Sequence, residues 1–279
     1  MPHHEIFTTD KVAVITGAAD GIGLAAARCF AGFGMHVLMA DIDRTRLEAA
    51  ARAMSARPGQ RIETQVIDVA QFAEVVALKE RAYADFGRVD VLMNNAGTSE
   101  KTGAWSALEQ WQHLLNVNLW GIIHGVQAFT QAMIDQGTPA LIINTGSKQG
   151  ITNPPGNPAY NVSKAGVKTA TEALQHELRN TPNCKVSAHL LVPGYTYTGL
   201  TRRRVQTQPA AAWLPEQVVD HMLEAIARGS FYIICPDHEV PAKEDARRIL
   251  WAARDLIDDR PALSRWHADY QEAFAQFET

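Results

Sequence analysis

The sequence predicts an α/β protein: a doubly wound parallel sheet with helices on both faces, followed by a helical C-terminal extension. Three observations carry this. Short, nearly all-apolar runs alternate with helical patterns along most of the chain, as strands do when a parallel sheet is covered on both faces. The connections are long enough for right-handed crossovers. A glycine-rich turn, "TGAADGIG", stands between the first strand and the first helix, where a helix N-terminus can meet a phosphate.

The elements follow in order. Residues 11–16 (KVAVIT) form a β-branched run that ends at Gly17, and residues 22–33 carry helical apolar spacing with many alanines. Residues 35–40 (MHVLMA) are the next strand. Residues 44–55 read as a helix stopped by Pro58-Gly59, and residues 62–67 alternate as a strand. Residues 72–86 are helical up to Gly87, which suits a helix C-cap. Residues 89–93 are a buried strand. A long helical stretch, with room for a break, runs over 105–136. Then come a strand at 140–144, a helix at 159–179, a strand at 185–192, a helix at 215–228 and a last strand at 231–235. No repeat, low-complexity segment or linker interrupts the chain before residue 236. The expectation is one domain over 1–279, with a core at about 9–235 and an extension at 236–279.

Composition excludes several classes. The 279 residues are 46% hydrophobic and 20% charged, with a net charge of −4. That charge gives no general attraction to nucleic acid or to an anionic membrane. No signal-peptide pattern opens the sequence, and no run approaches the roughly 18 apolar residues of a membrane span. Cys29, Cys184 and Cys235 are scattered, which suggests buried thiols in a reducing, cytoplasmic setting. No metal site is expected: there is no HExxH or Cys/His cluster, and His3-His4 reads as a mobile tip.

The turn after the first strand should bind a dinucleotide in a Rossmann-like manner. Gly17, Gly21 and Gly23 let a pyrophosphate approach the backbone, while the helix that begins at Asp20-Gly21-Ile22 offers unpaired N–H groups. The second strand ends in Asp41, 18 residues beyond Gly23, close to the roughly 20 expected for an acid on the adenosine ribose. That carboxylate would repel a 2′-phosphate, which favours NAD over NADP. Arg44 and Arg46 weaken the case; they read as lying on the outer face of the next helix, although one could swing back.

Further along stand Asp68-Val69, "NNAG" at 94–97, "NVN" at 116–118, Ser147, Tyr160, Lys164 and Pro193-Gly194. Taken singly, these are a turn, a helix amide, a loop serine and surface residues. Together and in this order they resemble the short-chain dehydrogenase/reductase family in its compact form, over about residues 9–235. The resemblance implies that Tyr160 takes or gives the proton and that Ser147, after the fifth or sixth strand, hydrogen-bonds the substrate oxygen. It implies that Lys164 binds the nicotinamide ribose and that Asn118 holds a water beside it. A phenol has a pKa of about 10, and an ammonium one helical turn away favours the phenolate. Asp68 and Val69 should bracket the adenine, and Asn95, Ala96 and Gly97, with Pro193 and Gly194, should line the cofactor. Thr198 should reach its carboxamide, with Thr196 the alternative. The family is commonly dimeric or tetrameric through its two long central helices.

Substrate-facing segments in this family follow the serine and the Pro-Gly pair. Gln149, Tyr195, Tyr197, Leu200 and Trp213 there suggest a medium-sized hydrophobic alcohol or ketone. Arg202, Arg203 and Arg204 offer an alternative, a grip on an anionic substrate; a non-catalytic dinucleotide sensor is the competing class. In the extension, Ile249, Leu250, Ala253, Leu256 and Ile257 fall at helical spacing, and Trp266, Tyr270 and Phe274 stand four apart. Such stripes pack against their own domain or a neighbouring subunit.

Overall fold

The structure is a computed structural model, and it describes residues 5–105, 107–202 and 205–278. His3, His4, Arg203 and Arg204 lie outside the described residues. The chain begins β1 (Val12–Thr16), α1 (Gly21–Gly32), β2 (His36–Asp41), α2 (Arg44–Arg52), β3 (Ile62–Val66), α3 (Phe72–Phe86) and β4 (Val91–Asn94). It continues α4 (Leu108–Leu115), a π-helical turn (Asn116–Trp120), α5 (Gly121–Asp135), β5 (Ala140–Thr145), α6 (Gln149–Thr152), α7 (Pro158–Asn180) and β6 (Val186–Val192). It ends α8 (Gly199–Arg202), α9 (Pro215–Ala227), β7 (Tyr232–Ile234), α10 (Ala242–Ile257), two 3₁₀ turns and α11 (Gln271–Gln276).

Among the described residues, seven strands form one parallel sheet in the order β3-β2-β1-β4-β5-β6-β7. Strand side chains alternate between two cores, as the two-residue period of a strand requires. Ala13, Ile15, Val37, Met39, Val91 and Met93 join one core with α1, α2 and α9. Val14, Leu38, Leu92 and Ile142 join the other with α3, α5 and α7. The strand order reverses between β1 and β4, and at such a switch point the carboxyl ends of the strands open a crevice for ligands. No described helix is long and apolar enough to cross a membrane.

Three expectations change. The long stretch at 105–136 starts as a helix only at Leu108 and breaks into a π turn at Asn116–Trp120, leaving Trp105 ahead of it and 95% exposed. The aromatic stripe in the tail is not one helix face. Trp266 and Tyr270 fall on separate 3₁₀ turns, and of the three only Phe274 packs on Trp251, with ring centres 5.2 Å apart. The apolar spacing of α10 does not mark its buried side either. Leu250, Leu256 and Ile257 are exposed, while Asp245 and Trp251 are buried. The inward face was chosen by its partners: Trp251 donates to Ser264 at 2.8 Å, and Asp245 meets a lysine beside the cavity described next.

Candidate active site

A cavity of about 780 Å³ opens at the carboxyl ends of β1, β2, β4, β5 and β6, within the size range of about 300–1,000 Å³ usual for ligand sites. Its floor at one end is the glycine turn. Gly17 has φ +65°, and a Cβ there would lie 2.7 Å from Ala96 Cα. The turn can therefore close on the β4 loop only with glycine at that position. Asn95 fixes this contact: its side chain donates to the Thr16 and Gly17 carbonyls at 3.2 and 3.3 Å and accepts from Thr145 at 3.3 Å. Gly23 sits behind the turn against the Gly17 carbonyl rather than on the cavity wall. Asp20 caps α1 by accepting from Gly21 N at 2.6 Å.

Gly17, Asp20, Gly21 and Ile22, then Asp41, Asp68 and Val69, all line this cavity. Asp41 is held by backbone, accepting from Ala19 N and Asp43 N at 3.0 Å each. Each oxygen keeps further lone pairs with which to accept. The two arginines separate. Arg44 pairs with Glu48 on the outer face of α2, whereas Arg46 reaches the cavity wall, 3.3 Å from Asp43 and 3.9 Å from Asp20.

Ser147, Tyr160 and Lys164 line the same cavity, as do Asn95, Ala96, Gly97, Pro193, Gly194, Thr196 and Thr198; Thr198 stands against Gly21 of the glycine turn. Ser147 stands two residues past the end of β5 and accepts from Gln149 N at 3.2 Å. Tyr160 and Lys164 ride on the first turns of α7, which opens with Pro158 at its start, where a missing N–H costs nothing. Lys164 Nζ lies 5.9 Å from the centre of the Tyr160 ring and donates to the Thr145 carbonyl at 2.8 Å. Burial lowers the Lys164 pKa from its ordinary 10.5 to about 8, because a low-dielectric site disfavours the charged amine.

Asn118 sits inside the π turn, fully buried and off the cavity wall. Single π turns often mark functional sites. Its amide exchanges two hydrogen bonds with Thr98, at 2.7 and 2.9 Å, and donates to Ser163 at 3.3 Å. The side chain is thus committed to holding the Gly97-Thr98 loop.

The substrate-side expectations divide. Gln149, Tyr195 and Leu200 line the cavity. Tyr197 and Trp213 do not. Tyr197 donates to the Gln206 carbonyl at 2.6 Å and stacks under Arg202, while Trp213 packs edge-on to His221 and His238. Arg202 turns toward the glycine turn, where it hydrogen-bonds Asp20. His113, Lys148 and Arg46 also line the cavity. Lys148 is adjacent to Ser147 in sequence, a signal that was available; His113 had none beyond its helix.

The short chain dehydrogenase family model matches residues 11–209. A 3-oxoacyl-[acyl-carrier-protein] reductase FabG of Thermotoga maritima is 33% identical over 222 residues, 79% of this chain and 84% of that protein. A 1-deoxy-11-beta-hydroxypentalenate dehydrogenase of Streptomyces exfoliatus is 32% identical over 256 residues, 89% of this chain and 88% of its own. A crystal structure of a short chain dehydrogenase/reductase from Burkholderia phymatum in complex with NAD superposes with a TM-score of 0.82 at 31% identity, covering 92% of this chain and 98% of that one. The matched residues include the glycine turn and the helix that carries Tyr160 and Lys164, so the chain belongs to the short-chain dehydrogenase/reductase family and is an NAD(P)-dependent dehydrogenase/reductase.

Proposed function

We propose that the protein is an NAD-dependent enzyme that interconverts a medium-sized hydrophobic secondary alcohol and its ketone. The observation that carries this reading is the convergence of Ser147, Tyr160 and Lys164 on the cavity that also holds the glycine turn and Asp41. The residues present suit a dinucleotide: a turn with no room for a Cβ, a helix N-terminus behind it and a carboxylate at the end of β2. When bound, the nicotinamide supplies the hydride acceptor or donor.

The chain's own residues handle the proton and the geometry. Tyr160 takes the hydroxyl proton during oxidation and returns it during reduction. The Lys164 ammonium favours the phenolate, and the low dielectric that lowers its own pKa also strengthens this attraction. Ser147 hydrogen-bonds the same substrate oxygen and holds it near Tyr160. Asn118 holds a water beside Lys164, and its side-chain amide, bonded to Thr98, keeps the adjoining loop in place. Thr196 and Thr198 serve the carboxamide end of the cofactor, and Asp68 and Val69 the adenine.

Asp41 favours NAD. At about 4 Å and an effective dielectric of about 20, each unit of like charge on a 2′-phosphate costs on the order of 4 kcal/mol before screening. Arg46 opposes this only in part, because its charge is shared with Asp43 and Asp20. Tyr195 and Leu200 give the substrate side its apolar character. A dimer or tetramer built on α5 and α7 is supported by Trp120, at the end of the π turn that leads into α5, and Val162 on α7, which are about half exposed. Cys29, Cys184 and Cys235 are free thiols, which suits a cytoplasmic protein.

The test is a screen of hydrophobic secondary alcohols with NAD and NADP, read as absorbance of the reduced cofactor. Turnover with NAD supports the reading. Tight dinucleotide binding with no turnover of any alcohol or ketone would favour the sensor.

A further inference from the structure

We propose that the C-terminal helix α10 is part of the active-site framework, with Asp245 a positioning residue that sets the catalytic loop through Lys148. Lys148 follows Ser147 in the chain and lines the cavity. Its Nζ lies 2.7 Å from Asp245 Oδ2, on α10, and 3.5 Å from Asp237 Oδ2, just beyond β7. The two carboxylates are 7% and 5% exposed and the lysine 17%. Ions this deeply buried hold one geometry, because any departure leaves a charge unpaired. Burial raises the Asp245 pKa, and the adjacent ammonium opposes that rise.

The cluster reaches both segments that shape the substrate end. On one side it grips Lys148, whose N–H bonds the Pro193 carbonyl and whose own carbonyl accepts from Ile151 N and Thr152 N in α6. On the other, Asp237 Oδ2 accepts from Tyr195 N at 3.2 Å, at the base of the segment over the cavity. His238 N donates to the Ala211 carbonyl at 3.2 Å, tying down the far end of that segment. Gly194 lies in the angle between them: a Cβ there would be 2.8 Å from Asp237 Oδ2 and 3.0 Å from Lys148 Nζ. Asp245 therefore bears on Ser147, Gln149 and Tyr195 without touching the reacting atoms.

The catalytic consequence rests on the oxidoreductase reading above, whereas the mechanical coupling can be read without any substrate. Hydrogen exchange on the full chain, comparing wild type with Asp245→Asn, should show amides 147–152 and 194–197 exchanging at least tenfold faster, with β5 and β6 unchanged. Unchanged exchange in those two segments, loosening confined to α10, or a uniform rise across the sheet would each overturn the coupling. If Asp245→Asn does not fold, Lys148→Arg reads the same amides; it keeps the charge, displaces it, and should loosen the same two segments alone. With an alcohol that the enzyme oxidises, Asp245→Asn should lower kcat at least tenfold and leave the KM for NAD within twofold. Loosened segments with unchanged kcat would remove the positioning role. If no alcohol is turned over, the oxidoreductase reading fails, and exchange still decides the coupling.

Discussion

Lys164 should leave a measurable mark on folding stability. Its pKa falls from 10.5 to about 8 on burial. Each pKa unit is worth about 1.36 kcal/mol, so holding the ammonium in the folded site costs about 3 kcal/mol relative to the unfolded chain. Below pH 8 both states carry the proton and the cost is constant. Between pH 8 and 10.5 the unfolded state binds more protons, so stability rises with pH; it is lost again as pH falls through 8. The perturbation is Lys164→Met, made in a Tyr160→Phe background so that the neighbouring phenol does not titrate. The Thr145 carbonyl loses its donor in the variant, but that loss does not vary with pH and cancels in the comparison. Urea unfolding followed by tryptophan fluorescence at pH 7 and pH 10 gives four free energies. The lysine protein should gain about 2–3 kcal/mol on the methionine protein between the two pH values. A difference that stays constant within about 0.5 kcal/mol, the extrapolation error being of that order, would mean that the ammonium is not desolvated.

Tyr160→Phe should lower kcat by at least the roughly 10² to 10⁴ typical of general acid–base catalysis, with NADH affinity by fluorescence titration nearly unchanged; a loss under tenfold in a folded variant would remove Tyr160 as the base. The wild type should prefer NAD over NADP in kcat/KM by at least about tenfold, which takes only about 1.4 kcal/mol, and Asp41→Ser should narrow the gap. An NADP preference in the wild type would hand the ribose pocket to Arg46. Arg202→Ala should free the 196–202 segment from Asp20. Because the pair is partly exposed and screened, its worth is at most about 1 kcal/mol, so amide exchange there should rise by about two- to fivefold; protection equal to wild type would show that the Asp20 contact does not hold the segment.

The strand–helix alternation, the glycine turn, Asp41 and the Tyr160–Lys164 spacing could be read from the sequence because each is a local pattern. Periods of two and 3.6 residues decide which side chains share a face before any partner is known. What lies across the cleft could not be read this way. Lys148 and Asp237 are 89 residues apart, and only the order of strands brings β5 and β7 to either side of β6. Tyr197 and Trp213 sit in the segment expected to face substrate, yet a hydrogen bond to Gln206 and the rings of His221 and His238 turn them away from the cavity. In α10 local periodicity pointed to Leu250, Leu256 and Ile257, which the structure leaves in solvent. A helix can bury a polar face when buried charges are already waiting for it, and Lys148 supplies one for Asp245. Local pattern thus set the elements and the spacing of Tyr160 and Lys164, while the direction of each face and the membership of the site depended on long-range partners that only the folded chain brings together.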